Sequence, residues 1–187
     1  MVAILFAHPA HQIVKNEILP FLSQMNIRSA DYIDFHFAGY IDKAEAKKYK
    51  DAVKLKQKIS KKKIYFSEIL FLEMRKDIEK ETKWKHSGGV DFLLIDVIKE
   101  NSPTLDFSNC IEAELSIARE NKIIPTLSIF FESIFKYAQE NGGKTSKFSN
   151  GRIPNLALDA FSKLLDNGLF SLYEKGKIYA VRNLAKH

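Results

Sequence analysis

The chain has 187 residues, 45% of them apolar, with only 8 glycines and 5 prolines. This length and composition predict a single globular domain over residues 1–187 and exclude a largely disordered chain. The net charge of +6 admits an acidic partner such as nucleic acid. No apolar run approaches the roughly 20 residues that span a bilayer, so no membrane partner is expected. One cysteine, Cys110, excludes an internal disulfide framework, and the lack of a secretory pattern predicts a cytoplasmic location.

The first half of the chain predicts strands that alternate with helices. The run "VAILFAH" is apolar throughout, which is typical of a strand buried on both faces. The turn Ser87-Gly88-Gly89 separates the last helix of this half from its clearest strand, "VDFLLIDVI". In chain order the predicted elements are a strand at 2–8, a helix at 11–25 bent by Pro20, a strand at 30–41, a lysine-rich helix at 42–62, a helix at 65–86 and a strand at 90–98.

The second half continues the same alternation. Its predicted elements are a helix from Phe107 to about residue 122, a strand at 123–131, a helix at 132–140, a polar loop at 141–155, a helix at 156–168 and a strand at 176–184. Alternation of this kind predicts an α/β fold, a single-domain open and mainly parallel sheet of about five strands with helices on both faces. In that sheet, residues 91–97 and 123–130 should form neighbouring parallel strands.

The positive charge is concentrated in one segment. Nine lysines lie between Lys47 and Lys63, and apolar residues recur among them at helical spacing. We interpret the segment as the solvated face of a helix, with phosphate contact as the alternative. No aromatic or arginine ladder accompanies the lysines, as base stacking would require, so a nucleic-acid partner is not favoured.

The first predicted strand ends at His8-Pro9. Metal-dependent deacetylases and flavodoxin-type quinone reductases carry a similar His-Pro, but the aspartates of the deacetylase zinc site are replaced here by Ala10 and His11. Pro9 also suits the start of a helix. Because ligands of open parallel sheets bind beyond the carboxyl ends of strands, His8 is a candidate site residue without metal. We predict no metal site.

Glu114 breaks the pattern of its predicted helix. At 100° per residue it falls among Cys110, Ile111, Ile117 and Ala118, on the apolar side, while Glu112 falls on the solvated side. An unpaired buried carboxylate costs several kcal/mol. Glu114 is therefore either half of a salt bridge, carried to the surface by a rotated helix, or a catalytic acid that faces a cleft.

The segment around Glu114 resembles TIR domains and the related nucleoside deoxyribosyltransferases. The residues that match the TIR pattern in spacing are Ser108, Glu114, Leu115, Ala118 and Pro125. In both families the matching glutamate is catalytic and acts at the anomeric carbon of a ribosyl group. The sequence departs from them at Cys110, where TIR domains have tryptophan, and at Ser116, where the transferases have glycine.

The resemblance implies a TIR-like or flavodoxin-like fold and a substrate with an N-glycosidic bond, either NAD or a nucleoside, with no cofactor. Glu114 would be the catalytic residue. Phe37 and Tyr40 are candidates to stack on the base, and Gly39 would allow close approach of the ligand; ordinary strand packing explains the aromatic pair equally well. The remaining candidate substrate-binding residues are His8, Asp96 and Ser108.

Three functions follow as hypotheses. The first is N-glycosidic cleavage of a small nucleotide or nucleoside; by resemblance, small proteins of this group serve as defence effectors that deplete NAD. The second is a non-catalytic TIR-like module that assembles with itself or with a signalling partner. The third is an α/β protein that binds nucleic acid through its lysine-rich helix.

Overall fold

The computed structural model describes residues 1–22, 25, 33–56, 63–99, 103–140 and 179–186. Within these residues a five-stranded sheet has the order β2-β1-β6-β7-β8, and a smaller sheet has the order β3-β5-β4. The strands are β1 Val2–Phe6, β2 Asp34–Phe37, β3 Tyr40–Ile41, β4 Val53–Lys54, β5 Tyr65–Phe66, β6 Asp91–Lys99, β7 Pro103–Glu114 and β8 Tyr179–Arg182. The fold is thus mixed α/β, as predicted, with helices beside a five-stranded sheet.

Helical segments connect and cover the strands. The α-helices are α1 Glu68–Glu81, α2 Leu115–Glu120 and α3 Leu127–Glu140. Shorter turns of helix are a π-helical Val14–Ile18, a 3-10 Leu19–Phe21 and a 3-10 Glu45–Lys48. The predicted bend at Pro20 falls in the 3-10 turn. In the described part of the chain no helix is both long and apolar enough to cross a membrane.

The prediction of a mainly parallel sheet is wrong. Only β1 and β2 pair in parallel within the described sheet, while β1–β6, β6–β7 and β7–β8 are antiparallel. Three residues separate β6 from β7, whereas a parallel crossover needs a dozen or more. The two long strands therefore form a hairpin, with a register shift between Leu94 and Asp96.

The large sheet is buried on both faces. Its first face carries Ala3, Leu5, Phe92 and Leu94, and α3 packs there through buried residues at helical spacing: Leu127, Phe130, Phe131, Ile134 and Ala138. The second face carries the alternate residues, among them Ile4, Phe6 and Leu93, together with Phe71 of α1 and Trp84. We call these two clusters the first core and the second core.

In two stretches the secondary structure is the opposite of the one predicted. Residues 107–114 belong to β7 rather than to a helix, and 127–131 begin α3 rather than ending a strand. In β7 the period is two, so Ile111 and Ala113 enter the first core while Glu112 and Glu114 share the opposite face. The apolar arc around Glu114 was therefore an artefact of the helical period, and the predicted pair of parallel strands at 91–97 and 123–130 does not exist.

The lysine-rich segment does not form the predicted helix in its described part. The 3-10 turn ends at Tyr49, which is extended, and Val53 begins β4. Asp51 instead accepts hydrogen bonds from Ser67 Oγ and from Ile69 N at the start of α1, at 2.9 Å each, which ties the segment to that helix. Residues 57–62 and the helix predicted at 156–168 lie outside the described residues.

Candidate functional site

Glu114 lies where three strands meet at one end of the large sheet. It is the last residue of β7 and is paired with Asp91, the first residue of β6. Asp91 is paired in turn with Phe6, the last residue of β1. Residues directly opposite in an antiparallel pair project to the same face with Cβ atoms about 4.5–5.5 Å apart. The two carboxylates are therefore neighbours on the face of the second core.

Asp91 is buried and held by three hydrogen bonds, only 3% of its surface remaining exposed. Its Oδ2 contacts His86 Nδ1 at 2.5 Å and accepts from Ser87 N at 2.7 Å. Its Oδ1 accepts from Ser87 Oγ at 2.7 Å. With both oxygens occupied in this way, Asp91 can support a site electrostatically but is poorly placed to react.

The turn between α1 and β6 packs against the junction of β7 and α2. Ser116 Oγ accepts from Val90 N at 2.6 Å. A Cβ atom at Gly89 would overlap Ser116 Oγ and would lie 3.1 Å from Glu114 Oε1. Gly89 is thus required by close approach, and this approach places backbone directly beside the Glu114 carboxyl group.

Burial raises the pKa of Glu114 above its usual range, and the negative charge of Asp91 raises it further. The hydrogen bond with Ser87 and the neighbouring His86 act in the opposite direction, while Glu120 adds to the increase. Glu114 forms no ion pair with a lysine or arginine of the described residues. A carboxyl group with these properties retains its proton to higher pH than usual and can donate it.

His8 lies beyond the carboxyl end of β1, as predicted, but both of its ring nitrogens are in use. Ala10 N donates to Nδ1 at 3.1 Å, so Nδ1 carries no proton and Nε2 donates to Glu68 Oε2 at 2.6 Å. The ring packs edge-on against Phe66 and Phe71. The structure gives His8 a fixed tautomer and a contact with α1, not with Glu114.

Phe37 and Tyr40 line a cleft of about 830 Å³ between β2, the small sheet and α1. Glu114 is not among the residues that line it. Tyr40 donates its hydroxyl to Ala7 O at 2.7 Å, and burial raises its pKa well above the usual range. The predicted close approach at Gly39 exists, with φ of +78°, but the atoms that come near are those of Phe66, Phe71 and Ser67 rather than a ligand.

Asp96 and Ser108 are far from Glu114. Asp96 pairs with Asp106 in the hairpin, five residues along β6 from Asp91, which corresponds to about 17 Å at 3.4 Å per residue. Ser108 is six residues from Glu114 along β7, or about 20 Å. Because β6 runs antiparallel to β1, the carboxyl ends of these two strands lie at opposite ends of the sheet. The structure does not bring these two candidates to one site with Glu114.

The residues that surround Glu114 escaped prediction. His86, Ser87 and Asp91 come from the stretch "HSGGVD", in which the glycines indicate a turn. An aspartate at the start of an otherwise apolar strand is the signal that could have identified this group. Among the described residues no cluster of three or more histidine, cysteine, aspartate or glutamate side chains is suited to hold a metal ion.

The chain matches no protein-family model, no curated protein and no solved structure. The TIR-like resemblance therefore stays a prediction based on the residues around Glu114.

Proposed function

We propose that the protein hydrolyses the N-glycosidic bond of a nucleoside or nucleotide, NAD included, with Glu114 as the reacting carboxyl group. The observation that carries this proposal is the pair of carboxylates at one end of the sheet, Asp91 and Glu114. Asp91 has its oxygens bound by His86 and Ser87, whereas Glu114 is partly exposed and has a raised pKa. Where two neighbouring carboxyl groups have contrasting surroundings, the one with the raised pKa usually acts as the acid and the other as a supporting charge.

The chemistry follows from the proton on Glu114. As the bond between C1′ and the base nitrogen breaks, its electrons pass to the base, and Glu114 supplies the proton that the leaving base takes up. The ribosyl cation that develops is stabilised by the negative charge left at Glu114 and Asp91. Water then adds to C1′ and returns a proton to Glu114. Nicotinamide leaves NAD without this proton, so for NAD it is the ionised form of Glu114 that would stabilise the cation.

The test is release of free base or nicotinamide, measured by chromatography after incubation with nucleosides, nucleotides and NAD separately. Glu114→Gln preserves the size of the side chain but can neither donate the proton nor carry the charge. We expect it to lower turnover by about 100-fold or more, the contribution usual for a general acid.

Glu112→Gln is the matched control. Glu112 lies on the same face of β7, two residue pairs further from the end and opposite Leu93, and its substitution removes the same charge. It should leave turnover within about twofold of the wild type, because its neighbour on β6 is Leu93 rather than Asp91. Wild-type turnover by Glu114→Gln would refute the assignment, and no release from any substrate would favour the non-catalytic module instead.

A further inference from the structure

We propose that the cleft between β2 and the small sheet binds a planar aromatic compound that carries a phosphate group, such as a mononucleotide. The inference is independent of the proposed function, because the cleft and Glu114 are separate places on the sheet. β1 and β6 lie between β2 and β7, and three strand spacings amount to about 14 Å.

The cleft has the size and the lining of a ligand site. Its volume of about 830 Å³ falls within the range of about 300–1,000 Å³ found for small-molecule pockets. Phe35, Phe37 and Tyr40 contribute aromatic rings, and Ile64 and Met74 contribute further apolar surface. The ring centroid of Phe37 lies 5.4 Å from that of Phe35 and 5.6 Å from that of Tyr40. These three rings form a continuous aromatic wall. Such a wall suits a flat base, which has a π-face for stacking.

The charged residues of the cleft favour an anion. Lys43 and Lys63 both line it and are exposed, and neither forms an ion pair with any of the described residues. Asp42, the carboxylate among the described lining residues, is turned to its own backbone, because its Oδ1 accepts from Ala44 N at 2.7 Å and from Glu45 N at 2.9 Å. His36 also lines the cleft and contacts Asp34 at 3.1 Å. Two lysines without described partners thus remain to meet a phosphate group.

Aromatic wall and lysines together define the ligand class. A nucleoside without phosphate would use the wall alone, and inorganic phosphate would use the lysines alone. A mononucleotide would use both, and part of its affinity would come from exposed charges, which salt screens.

The experiment is isothermal titration calorimetry of the whole protein with AMP, adenosine and inorganic phosphate, each at low and at high ionic strength. We expect AMP to bind more tightly than adenosine or phosphate. High salt should weaken the binding of AMP and of phosphate, which use the lysines, but not that of adenosine. If AMP is cleaved during the titration, the Glu114→Gln protein replaces the wild type, since its cleft is unchanged.

Two variants separate the contributions. Lys43→Gln combined with Lys63→Gln should weaken AMP by about tenfold or more, to the level of adenosine, because charged hydrogen bonds are lost. Phe37→Leu keeps an apolar side chain but removes a ring, and should weaken AMP and adenosine by the same factor. Lys15→Gln combined with Lys76→Gln removes the same charge from exposed positions outside the cleft and should leave AMP binding within about twofold.

Three results would overturn the proposal. One is failure of AMP to bind. Another is phosphate binding as tightly as AMP, which would indicate an anion site without a base. The last is an equal loss of AMP affinity in the Lys15/Lys76 control, which would indicate attraction by the net charge of the protein rather than by the cleft.

Discussion

Asp91 and Glu114 are opposite residues of one strand pair, yet their surroundings give them different properties. Asp91 is buried and bound by His86 and Ser87. Glu114 is partly exposed, and its carboxyl group lies beside the backbone of Gly89. The turn that brings His86 and Ser87 to Asp91 therefore also sets the environment of Glu114.

Glu114 should make the stability of the fold depend on pH. Burial raises its pKa in the folded chain, so the folded protein binds this proton more tightly than the unfolded chain does. The resulting stabilisation is complete below the ordinary glutamate pKa, about 4.3, and is lost as the pH rises through the higher folded value. Glu114→Gln behaves as the protonated form at every pH. At neutral pH the variant should therefore be at least as stable as the wild type. The gain in the free energy of unfolding should be less than about 1 kcal/mol, because solvent screens a partly exposed group.

Thermal unfolding of both proteins from acid to neutral pH is the measurement. The difference between them should disappear near pH 4, where both side chains are uncharged. A neutral-pH loss of about 3–5 kcal/mol in the variant would instead indicate that Glu114 is half of a buried ion pair.

At the scale of single residues, sequence reasoning identified Glu114 but not its setting. Glu114 was singled out by its position in the apolar arc of a predicted helix, and that helical period was wrong. The spacing to Leu115 and Ala118 then linked it to a resemblance. Asp91 and His86 were missed because their partnership depends on a turn that folds the chain back on itself over five residues. Phe37 and Tyr40 were found as a pair, but the structure puts them in a cleft that does not include Glu114.

At the scale of elements, Glu17 joins three separate helical segments. It lies in Val14–Ile18, and its carboxylate accepts from Arg119 Nε at 2.9 Å and Nη2 at 2.7 Å. It also accepts from Leu127 N, the first residue of α3, at 2.8 Å. Arg119 of α2 donates in addition to Ile124 O. The pair is therefore bidentate and caps the start of α3, a combination stronger than an ordinary surface ion pair.

Glu17→Ala should lower the free energy of unfolding by about 1–3 kcal/mol, because both the fork of Arg119 and the N–H of Leu127 lose their acceptor. Chemical denaturation measures the effect. Glu73→Ala is the control, since Glu73 is exposed on α1, and it should change stability by less than about 0.5 kcal/mol. Equal losses in the two variants would contradict the joining role of Glu17.

Sequence periodicity predicted correctly the elements whose apolar pattern fits only one type of secondary structure. β1 follows from an uninterrupted apolar run, and β6 from a mostly apolar run that contains Asp91 and Asp96. α1 lies within the helix predicted at 65–86. Residues 107–114 of β7 and 127–131 of α3 were assigned the opposite type because their apolar residues fit both periods over short windows, whereas the helix predicted at 132–140 lies within α3. The strand order was beyond reach, since the antiparallel pairing of β1 with β6 joins segments about 90 residues apart.

At the scale of the whole molecule, the large sheet should be its most stable part. β1 and β6 are buried on both faces, and Leu5, Phe6, Leu93 and Leu94 have no exposed surface. β4 is an edge strand of the small sheet, where Val53 is 64% exposed.

Hydrogen exchange followed by mass spectrometry should therefore find the amides of β1 and β6 exchanging last, together, through global unfolding. The amides of β4 should exchange early, through local opening. Exchange of β1 ahead of β4 would contradict the description of the large sheet as the cooperative core.

The pairing of β1 also has a consequence for biosynthesis. Its antiparallel partner comprises residues 91–95, so a ribosome that adds about 5–20 residues per second completes that partner roughly 5–20 s after β1 is made. During that interval the strand can pair with β2 but lacks β6 on its other side. The nascent chain therefore carries the apolar segment "VAILFAH" with an open hydrogen-bonding edge, which makes it a ready target for a chaperone that holds extended apolar peptides and a point of risk for aggregation between neighbouring nascent chains.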